Sequence, residues 1–351
     1  MLRNIAALLI ILLASTSFAA EGEQPIKRTK VEVDKIMEDV GKTPPDWWDG
    51  TAELSVPPTL DLTFTQHPGG WQPKVNFGAY MWDIIDPNPD KWRGAVKLIQ
   101  GTLVTNKGNA DAQQKAMANL ARIYTEMLAD YPRGGYWAKK ANAQPILLAE
   151  CYLKLGCKEA TIDMLKKMGP DGTRNGQVIK MWADVGDLKT ALVLAEQKAA
   201  SNPTAAYLAA ADACRLSNNI PQAIKYYNQV TAAKTSERDA DRNRKRAAAS
   251  LEAIKLFDSL NLTKIGDGKY TADSIGYVGP VVVAVTVADH KIEKVEVTQH
   301  HEKQFYASIT AVPPRIVAKQ SVKGIDATTG ATITSEAIIN ASAKALAGAQ
   351  K

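Results

Sequence analysis

Hydroxyl-bearing and small residues are interleaved near the carboxyl end of the chain, in the segment DATTGATITS at residues 326–335. Gly330 and Ala331 leave the backbone open to a bulky group, because neither carries a large side chain. Thr334 and Ser335 can cap a helix that begins here, and the free N–H groups and positive dipole end of a helix suit an anion. The segment therefore predicts a hydroxyl-rich site for a phosphate-like group at a helix start.

A β-hairpin and a helix must position this segment. Valines occupy alternate positions from Val281 to Val287, a short turn follows at 288–291, and a second alternating run extends from Ile292 to Gln299. This period of two predicts an antiparallel hairpin. The run 335–346 has the period of a helix that lies on the sheet, with one apolar face formed by Ile338, Ala341 and Ala345. Residues 262–351 are therefore expected to form a small α+β domain that folds by itself.

Residues 266–348 resemble the FMN-binding domain found in the C subunit of the sodium-pumping NADH:quinone oxidoreductase and in the G subunit of the Rnf complex. The similar positions are Asp267-Gly-Lys-Tyr270, Gly276-Tyr-Val-Gly279, His301-Glu302, Lys319-Gln-Ser321 and the DxxTGAT motif that begins at Asp326. Average residue usage gives a chance DxxTGAT in a chain of this length on the order of one in a thousand. The motif is thus specific for this family.

The resemblance implies an FMN cofactor held covalently. In the family, an ApbE-type flavin transferase that uses FAD as donor joins the FMN phosphate to the hydroxyl of the last Thr of the motif, which is Thr332 here. Thr329, Gly330 and Ala331 complete the motif around that residue. Asp326 is expected to hold the turn through side-chain bonds to backbone N–H groups.

The resemblance also suggests that His301, Glu302, Gln320 and Ser321 lie near the flavin ring or the phosphate. A surface cluster of His and Glu residues fits the same sequence equally well. The sequence departs from the family pattern directly after Glu302, where this chain has Lys303-Gln-Phe-Tyr306 in place of the Thr-Pro-Gly turn of the Rnf subunit.

The middle of the chain, residues 91–260, is rich in Ala, Leu, Lys and Gln, with apolar residues at the three- and four-residue intervals of helices. Three segments place a turn before an Ala that opens a new helix, and these alanines, Ala160, Ala191 and Ala223, lie 31 and 32 residues apart. The spacing resembles that of degenerate tetratricopeptide repeats, whose period is about 34 residues. It predicts an all-α domain of helical hairpins whose surface docks a protein partner, although a plain helical spacer fits too.

Residues 20–90 are polar at first and then rich in Pro and Trp. The prolines exclude a continuous helix and central strands, so the sequence predicts an irregular arm. Its aromatic residues, including Tyr80 and Trp82, are expected to anchor the arm to the helices. A Trp-lined sugar site is the alternative.

The first 19 residues have the charged, apolar and small-residue zones of a secretory signal, with cleavage expected after Ala19. The apolar run is shorter than the roughly 20 residues that span a bilayer. We therefore expect export to the periplasm or another extracytoplasmic space, with no transmembrane span in the mature chain.

The three cysteines, Cys151, Cys157 and Cys214, lack the spacing of a zinc or haem site. Their Ala/Leu-rich surroundings predict small buried apolar side chains, although an oxidising compartment leaves a Cys151–Cys157 bridge open.

Composition and charge limit the classes of function. A hydrophobic content of 45% and a charged content of 23% are ordinary for a globular protein. The formal net charge of +6 is too small to indicate nucleic-acid binding. The basic run 238–246 is interleaved with Asp239 and Asp241, which predicts a solvated helix face.

Together these patterns favour an exported electron-transfer flavoprotein that carries FMN on Thr332 and whose repeats dock a membrane-associated redox partner. A substrate-specific enzyme is less favoured, since the sequence has no dinucleotide fingerprint or nucleophile elbow. A repeat-based scaffold with an accessory or vestigial flavin domain is the second alternative.

Overall fold

The computed structural model describes residues 26–64, 70–142, 144–168, 175–303, 307–328 and 331–350. The predicted signal, residues 1–19, lies outside these residues, and so do Thr329 and Gly330. Within the described ranges, no helix is both long enough and apolar enough to cross a membrane.

The N-terminal segment contains a helix that the prediction of an irregular arm missed. Helix α1 (Lys30–Gly41) begins with a capping box in which Thr29 and Glu32 bond each other's backbone N–H groups. Val33 and Met37 on one face of α1 are buried against the later helices. The prolines that suggested irregular backbone begin only at Pro44, beyond the end of this helix.

The rest of the arm packs against the first helices of the middle region. These elements are α2 (Phe77–Tyr80), α3 (Pro89–Thr105), α4 (Ala110–Arg122) and α5 (Tyr131–Ala141). Tyr80 is buried in an aromatic-rich core with Phe77 and Trp92, as expected for an anchor. Trp82 and Trp71 stay exposed, so only part of the aromatic set anchors the arm.

Antiparallel helical hairpins follow. Their helices are α6 (Pro145–Lys154), α7 (Lys158–Lys167), α8 (Gly176–Asp184), α9 (Leu188–Ala199), α10 (Pro203–Leu216), α11 (Ile220–Ala232) and α12 (Ala240–Phe257). Ala160, Ala191 and Ala223, the alanines predicted to open new helices, are buried in α7, α9 and α11. The all-α character of this region is confirmed, and its identity as tetratricopeptide repeats stays a prediction.

One turn geometry recurs in the α6–α7, α8–α9 and α10–α11 hairpins. Each turn has a left-handed residue, Gly156, Gly186 or Asn218, with φ of 92°, 82° and 56° respectively. In each, the next N–H group bonds a carbonyl five residues back, at 2.8, 2.9 and 2.8 Å. This is the Schellman arrangement that ends a helix, and it gives the repeat a structural basis.

The C-terminal part is a three-stranded antiparallel sheet with two helices. The strands β1 (Gly268–Ile275), β2 (Pro280–Ala288) and β3 (Lys291–Gln299) lie in the order β1-β2-β3. The β2–β3 turn has Asp289 and His290 at φ of 47° and 60°, as in a two-residue type I′ hairpin. Helix α13 (Ser308–Lys319) packs on β3, while α14 (Thr332–Ala349) packs on β1 and β2. The predicted α+β class and hairpin are confirmed.

Helix α14 lies between the sheet and α12, and side chains on all its sides are buried. One apolar core therefore continues from the helical hairpins into the sheet, and it includes Tyr227, Phe257, Val283 and Ile338. A fragment that starts at residue 262 would expose the face of α14 that α12 covers. The expectation that residues 262–351 fold alone is not supported by this packing.

The cysteines are all free and buried. They serve as small core side chains, as the sequence indicated, and the Cys151 thiol contacts the Thr125 hydroxyl at 3.4 Å. Cys151 and Cys157 are not bridged.

Candidate functional site

A cavity of about 480 Å³ lies between the helical hairpins and the start of α14. Its wall includes Thr332 of α14, Lys180 of α8, Arg215 of α10, and Asn243 and Arg246 of α12. Cavities of this size are typical of sites for small molecules and cofactors. The site predicted from the DxxTGAT segment therefore lies at a boundary between two parts of the fold.

Thr332 is the first residue of α14 and is partly exposed. Among the described residues its hydroxyl has no hydrogen-bond partner. No side chain caps this helix, whose first internal hydrogen bond runs from the Ser335 N–H to the Ala331 carbonyl at 3.0 Å. The N–H groups of the first turn and the positive end of the helix dipole are therefore available to an anion.

The predicted capping role of Thr334 and Ser335 is wrong, because α14 begins earlier than the sequence suggested. Both residues lie inside the first turn and are buried. Thr334 donates its hydroxyl to the Glu302 carboxylate at 2.5 Å, and Ser335 Oγ accepts the Thr328 N–H at 3.0 Å. These hydroxyls fasten the motif segment to its surroundings.

Glu302 joins the motif helix to the turn between β1 and β2. Its buried carboxylate also accepts the N–H groups of Tyr277 and Val278, at 3.0 and 2.8 Å. A Cβ atom at Gly276 would come within 2.8 Å of this carboxylate, so the close approach requires glycine. The Gly-Tyr-Val-Gly segment and His-Glu pair of the sequence thus meet at one buried acceptor.

Asp326 does not hold the motif turn in the way expected. Its carboxylate forms ion pairs across the boundary with Lys180 of α8 at 2.9 Å and Lys154 of α6 at 3.6 Å. Burial disfavours the charged carboxylate, but these ammonium groups outweigh that effect and hold the pKa of Asp326 below its usual range. The motif aspartate therefore attaches its loop to the helical hairpins.

A buried charge network lies one turn into α14. The Glu336 carboxylate accepts Arg246 Nη2 at 2.9 Å and Arg215 Nη2 at 3.3 Å. Asp212 of α10 lies 3.9 Å from Arg246 and accepts the Tyr227 hydroxyl at 2.6 Å. Burial opposes ionisation of Glu336, but Arg246 and Arg215 overcome it and lower its pKa. Burial raises the pKa of Asp212 well above its ordinary value.

Sequence reasoning missed this network. The basic run 238–246 was expected to be a solvated face, but Arg246 and Asn243 are buried. Arg242 and Arg244 are partly exposed and pair with Asp239 and Asp241. The three-residue spacing from Asn243 to Arg246, continued by buried Ala247 and Ser250, is the signal of an inward face.

The hydrogen bonds of the remaining predicted site residues do not involve the motif segment, with the exception of Glu302 among the described residues. His301 is exposed, although its neighbour Glu302 is buried. Gln320 bonds the backbone N–H and carbonyl of Ile292 at 2.8 and 2.9 Å, at the start of β3. Ser321 Oγ accepts the Lys323 N–H at 3.1 Å. Since Glu302 follows the other end of β3, Gln320 is separated from it by roughly 20 Å of strand.

Residues 276–347 match the family model described as FMN-binding domain. An uncharacterized protein of Treponema pallidum (strain Nichols) is 40% identical over 82 residues, which are 23% of this chain and 22% of that protein. The chain therefore spans about a fifth of the length of this relative. No solved structure matches the chain.

The family match includes the Gly-Tyr-Val-Gly turn, Glu302 and the whole DxxTGAT segment. Among the described residues, hydrogen bonds join the turn at 277–278 to Glu302, Glu302 to Thr334, and Thr328 to Ser335, around the start of α14. Residues 276–347 are therefore identified as an FMN-binding domain, which supports flavin binding by this part of the chain.

Proposed function

We propose that this protein is an exported electron-transfer flavoprotein that carries FMN in a phosphoester bond to Thr332. The observation that carries the proposal is the placement of the Thr332 hydroxyl, which lines the cavity at the first residue of α14. A second member of the DxxTGAT segment, Ala327, lines the same cavity.

The hydrogen bonds of the neighbouring hydroxyl groups support this choice of residue. The Thr334 hydroxyl donates a hydrogen bond to Glu302, and the Ser335 hydroxyl oxygen accepts one from the Thr328 N–H. The Thr328 hydroxyl is buried and has no partner among the described residues. Of these hydroxyl groups, Thr332 combines exposure with access to a space large enough for a cofactor.

The residues around Thr332 fit an FMN phosphate. A phosphodiester on its hydroxyl would lie at the uncapped start of α14, where backbone N–H groups and the helix dipole favour negative charge. Lys180, Arg215 and Arg246 add positive charge to the cavity wall. Bound FMN supplies reversible one- and two-electron transfer, while the protein binds it, orients it and limits its contact with water.

The attachment reaction matches the chemistry of a hydroxyl acceptor. A flavin transferase with FAD as donor would break the phosphoanhydride bond between the FMN and AMP halves. The Thr332 oxygen forms the new P–O bond, its proton is lost, and AMP leaves. Gly330 and Ala331 precede Thr332 in the sequence, and residues this small are expected to hinder the transferase little.

Export and partner docking complete the proposal. The signal-like residues 1–19 support export, and the flavin domain supports exchange of electrons with a redox protein. The cavity wall shows that α8, α10 and α12 already contact the flavin domain of the same chain. The redox partner would then dock on other surfaces of the helical hairpins.

Thr332→Val tests the assignment of the acceptor. Valine keeps the β-branched shape and removes the only oxygen that can form the ester. Because that hydroxyl has no partner among the described residues, we expect a loss of less than about 1 kcal/mol of stability. After co-expression with the transferase, intact-protein mass spectrometry should show the FMN adduct on the wild type and on Thr329→Ser, but not on Thr332→Val.

An adduct that persists on Thr332→Val would refute the assignment. A wild-type chain that never acquires flavin would instead favour the scaffold with a vestigial flavin domain. N-terminal sequencing of the mature protein tests export, which an intact Met1 on a cytoplasmic protein would contradict.

A further inference from the structure

The cavity wall supplied by the helical hairpins carries more hydrogen-bond donors than the protein uses. Arg246 bonds through Nη2 alone, to Glu336, and its Nε is buried without a partner among the described residues. Arg215 also bonds through Nη2 alone, and its Nε and Nη1 are buried without partners in the same part of the structure. Buried guanidinium donors without acceptors are costly, so a missing acceptor would account for them.

The charges of the cavity also indicate an anion. Its charged lining consists of Lys180, Lys198, Arg215, Arg246, Asp212 and Glu336. The carboxylates are fewer than the cations, and the raised pKa of Asp212 further weakens its negative charge. Lys180 is paired with Asp184 and Asp326, so the positive charge available to an anion is that of Lys198 and of the two guanidinium groups that share the Glu336 carboxylate.

Helix geometry places Arg246 close to the Thr332 oxygen. Glu336 follows Thr332 by four residues, so the two side chains lie on the same face of α14, with Cβ atoms roughly 6 Å apart. Side chains on a helix tilt toward its N-terminus, so the Glu336 carboxylate lies beside the first turn. Arg246, held at 2.9 Å from that carboxylate, is thereby positioned at the level of an anion attached to Thr332.

From these observations we infer that Arg246 of α12, supported by Arg215 of α10, binds the phosphodiester that links FMN to Thr332. The inference rests on the proposed function and extends it, since it assigns half of the cofactor site to the helical hairpins. Glu336 holds the guanidinium groups in place, and the phosphodiester supplies the acceptor that the buried donors lack. Arginine suits this role because its planar fork matches phosphate oxygens.

The test compares the melting temperature of each full-length variant with and without attached FMN. Co-expression with or without the transferase gives the two forms. Because each variant is compared with itself, any loss of stability that comes from disturbing the Glu336 ion pairs affects both forms and cancels. The wild type should melt several degrees higher with FMN attached, and Arg246→Gln should lose at least half of that increase.

Arg244→Gln is the matched control, because Arg244 lies on the same helix and pairs with Asp241 outside the cavity. It should keep the full increase. Arg246→Lys keeps the charge opposite Glu336 and loses the planar fork, so it should fall between the wild type and Arg246→Gln. This variant decides the question if Arg246→Gln does not fold.

Equal increases in the wild type and the Arg246 variants would overturn the inference, as would no increase in any of them. Mass spectrometry shows separately whether the adduct forms, and its absence from the wild type would overturn the proposed function instead. If the adduct forms on the wild type alone, inorganic phosphate replaces it as the probe. Phosphate should then raise the melting temperature of the flavin-free wild type and not that of Arg246→Gln, and equal shifts would overturn the inference.

Discussion

Glu126 gives a quantitative prediction of pH-dependent stability. It lies in a wide helical turn at 123–127, directly after α4, and its side chain is buried. Its backbone carbonyl accepts the Ala307 N–H at 2.9 Å, which is a further contact between the helical region and the flavin domain. Burial raises the pKa of Glu126 from 4.5 to about 8, and the negative charges of Glu150 and Asp86 act in the same direction.

Arg122 opposes this shift but does not cancel it. Its guanidinium group is already engaged by Asp86, at 3.0 and 3.1 Å. The folded protein therefore binds the Glu126 proton more tightly than the unfolded chain does. The resulting contribution to stability is fully present below pH 4.5 and is lost as the pH rises toward 8.

The size of the effect follows from about 1.4 kcal/mol per pH unit for one proton. Between pH 5 and pH 7 the contribution of Glu126 should fall by about 2.5 kcal/mol. Glu126→Gln removes the ionisable group at nearly constant side-chain volume. Between pH 5 and pH 7 its free energy of unfolding should therefore rise relative to that of the wild type by the same amount.

Urea denaturation at pH 5 and pH 7 measures the difference, with Glu159→Gln as the control at an exposed position of α7. The comparison isolates Glu126 from other groups whose pKa burial also raises, such as Asp184 and Asp212. Equal differences between wild type and Glu126→Gln at both pH values would refute the reasoning.

Further predictions concern the Asp326 ion pairs, two glycines of the helical region and the independence of the flavin domain. Asp326→Asn should lower the free energy of unfolding, measured by urea denaturation at pH 7, by about 1–2 kcal/mol, because the buried Lys180 ammonium group loses one of its negative partners. Since the pKa of Asp326 is lowered in the folded protein, the wild type should lose the same contribution as the carboxylate is protonated in acid. Gly156→Ala should lower the free energy of unfolding by more than about 1 kcal/mol, because Gly156 is left-handed and an added Cβ would lie 2.3 Å from a backbone oxygen of the N-terminal segment. Gly101→Ala is the control, since Gly101 lies in open space on α3, and it should raise the free energy of unfolding by about 0.5–1 kcal/mol. Residues 262–351 expressed alone should show a poorly dispersed NMR spectrum, and a well-dispersed one would show that α14 does not need α12.

Local patterns in the sequence were sufficient for the strands of the hairpin and for the helices of the middle region. Alternating valines from Val281 to Val287 predicted β2, and all four are buried. The three-residue and four-residue periods predicted the hairpin helices. The helix α1 was missed, although Val33, Ile36, Met37 and Val40 have the spacing of one helix face and the Thr29–Glu32 capping box was a usable signal.

The site required information that local patterns do not contain. The bonds from Glu336 to Arg246 and Arg215 join residues 90 and 121 positions apart. Their partnership depends on how α14 packs against α10 and α12, which no window of the sequence encodes. The motif identified Thr332, but the far wall of its cavity became evident only from the tertiary packing.

The burial of α14 on all sides has a consequence for how the protein opens. A helix covered by a sheet on one side and by α12 on the other cannot exchange its amide protons by fraying of either neighbour alone. The amides in the middle of α14 should therefore exchange with solvent deuterium only when both regions unfold together. Helical hairpins and sheet would then melt in one calorimetric transition, with α14 as the element that makes their unfolding cooperative.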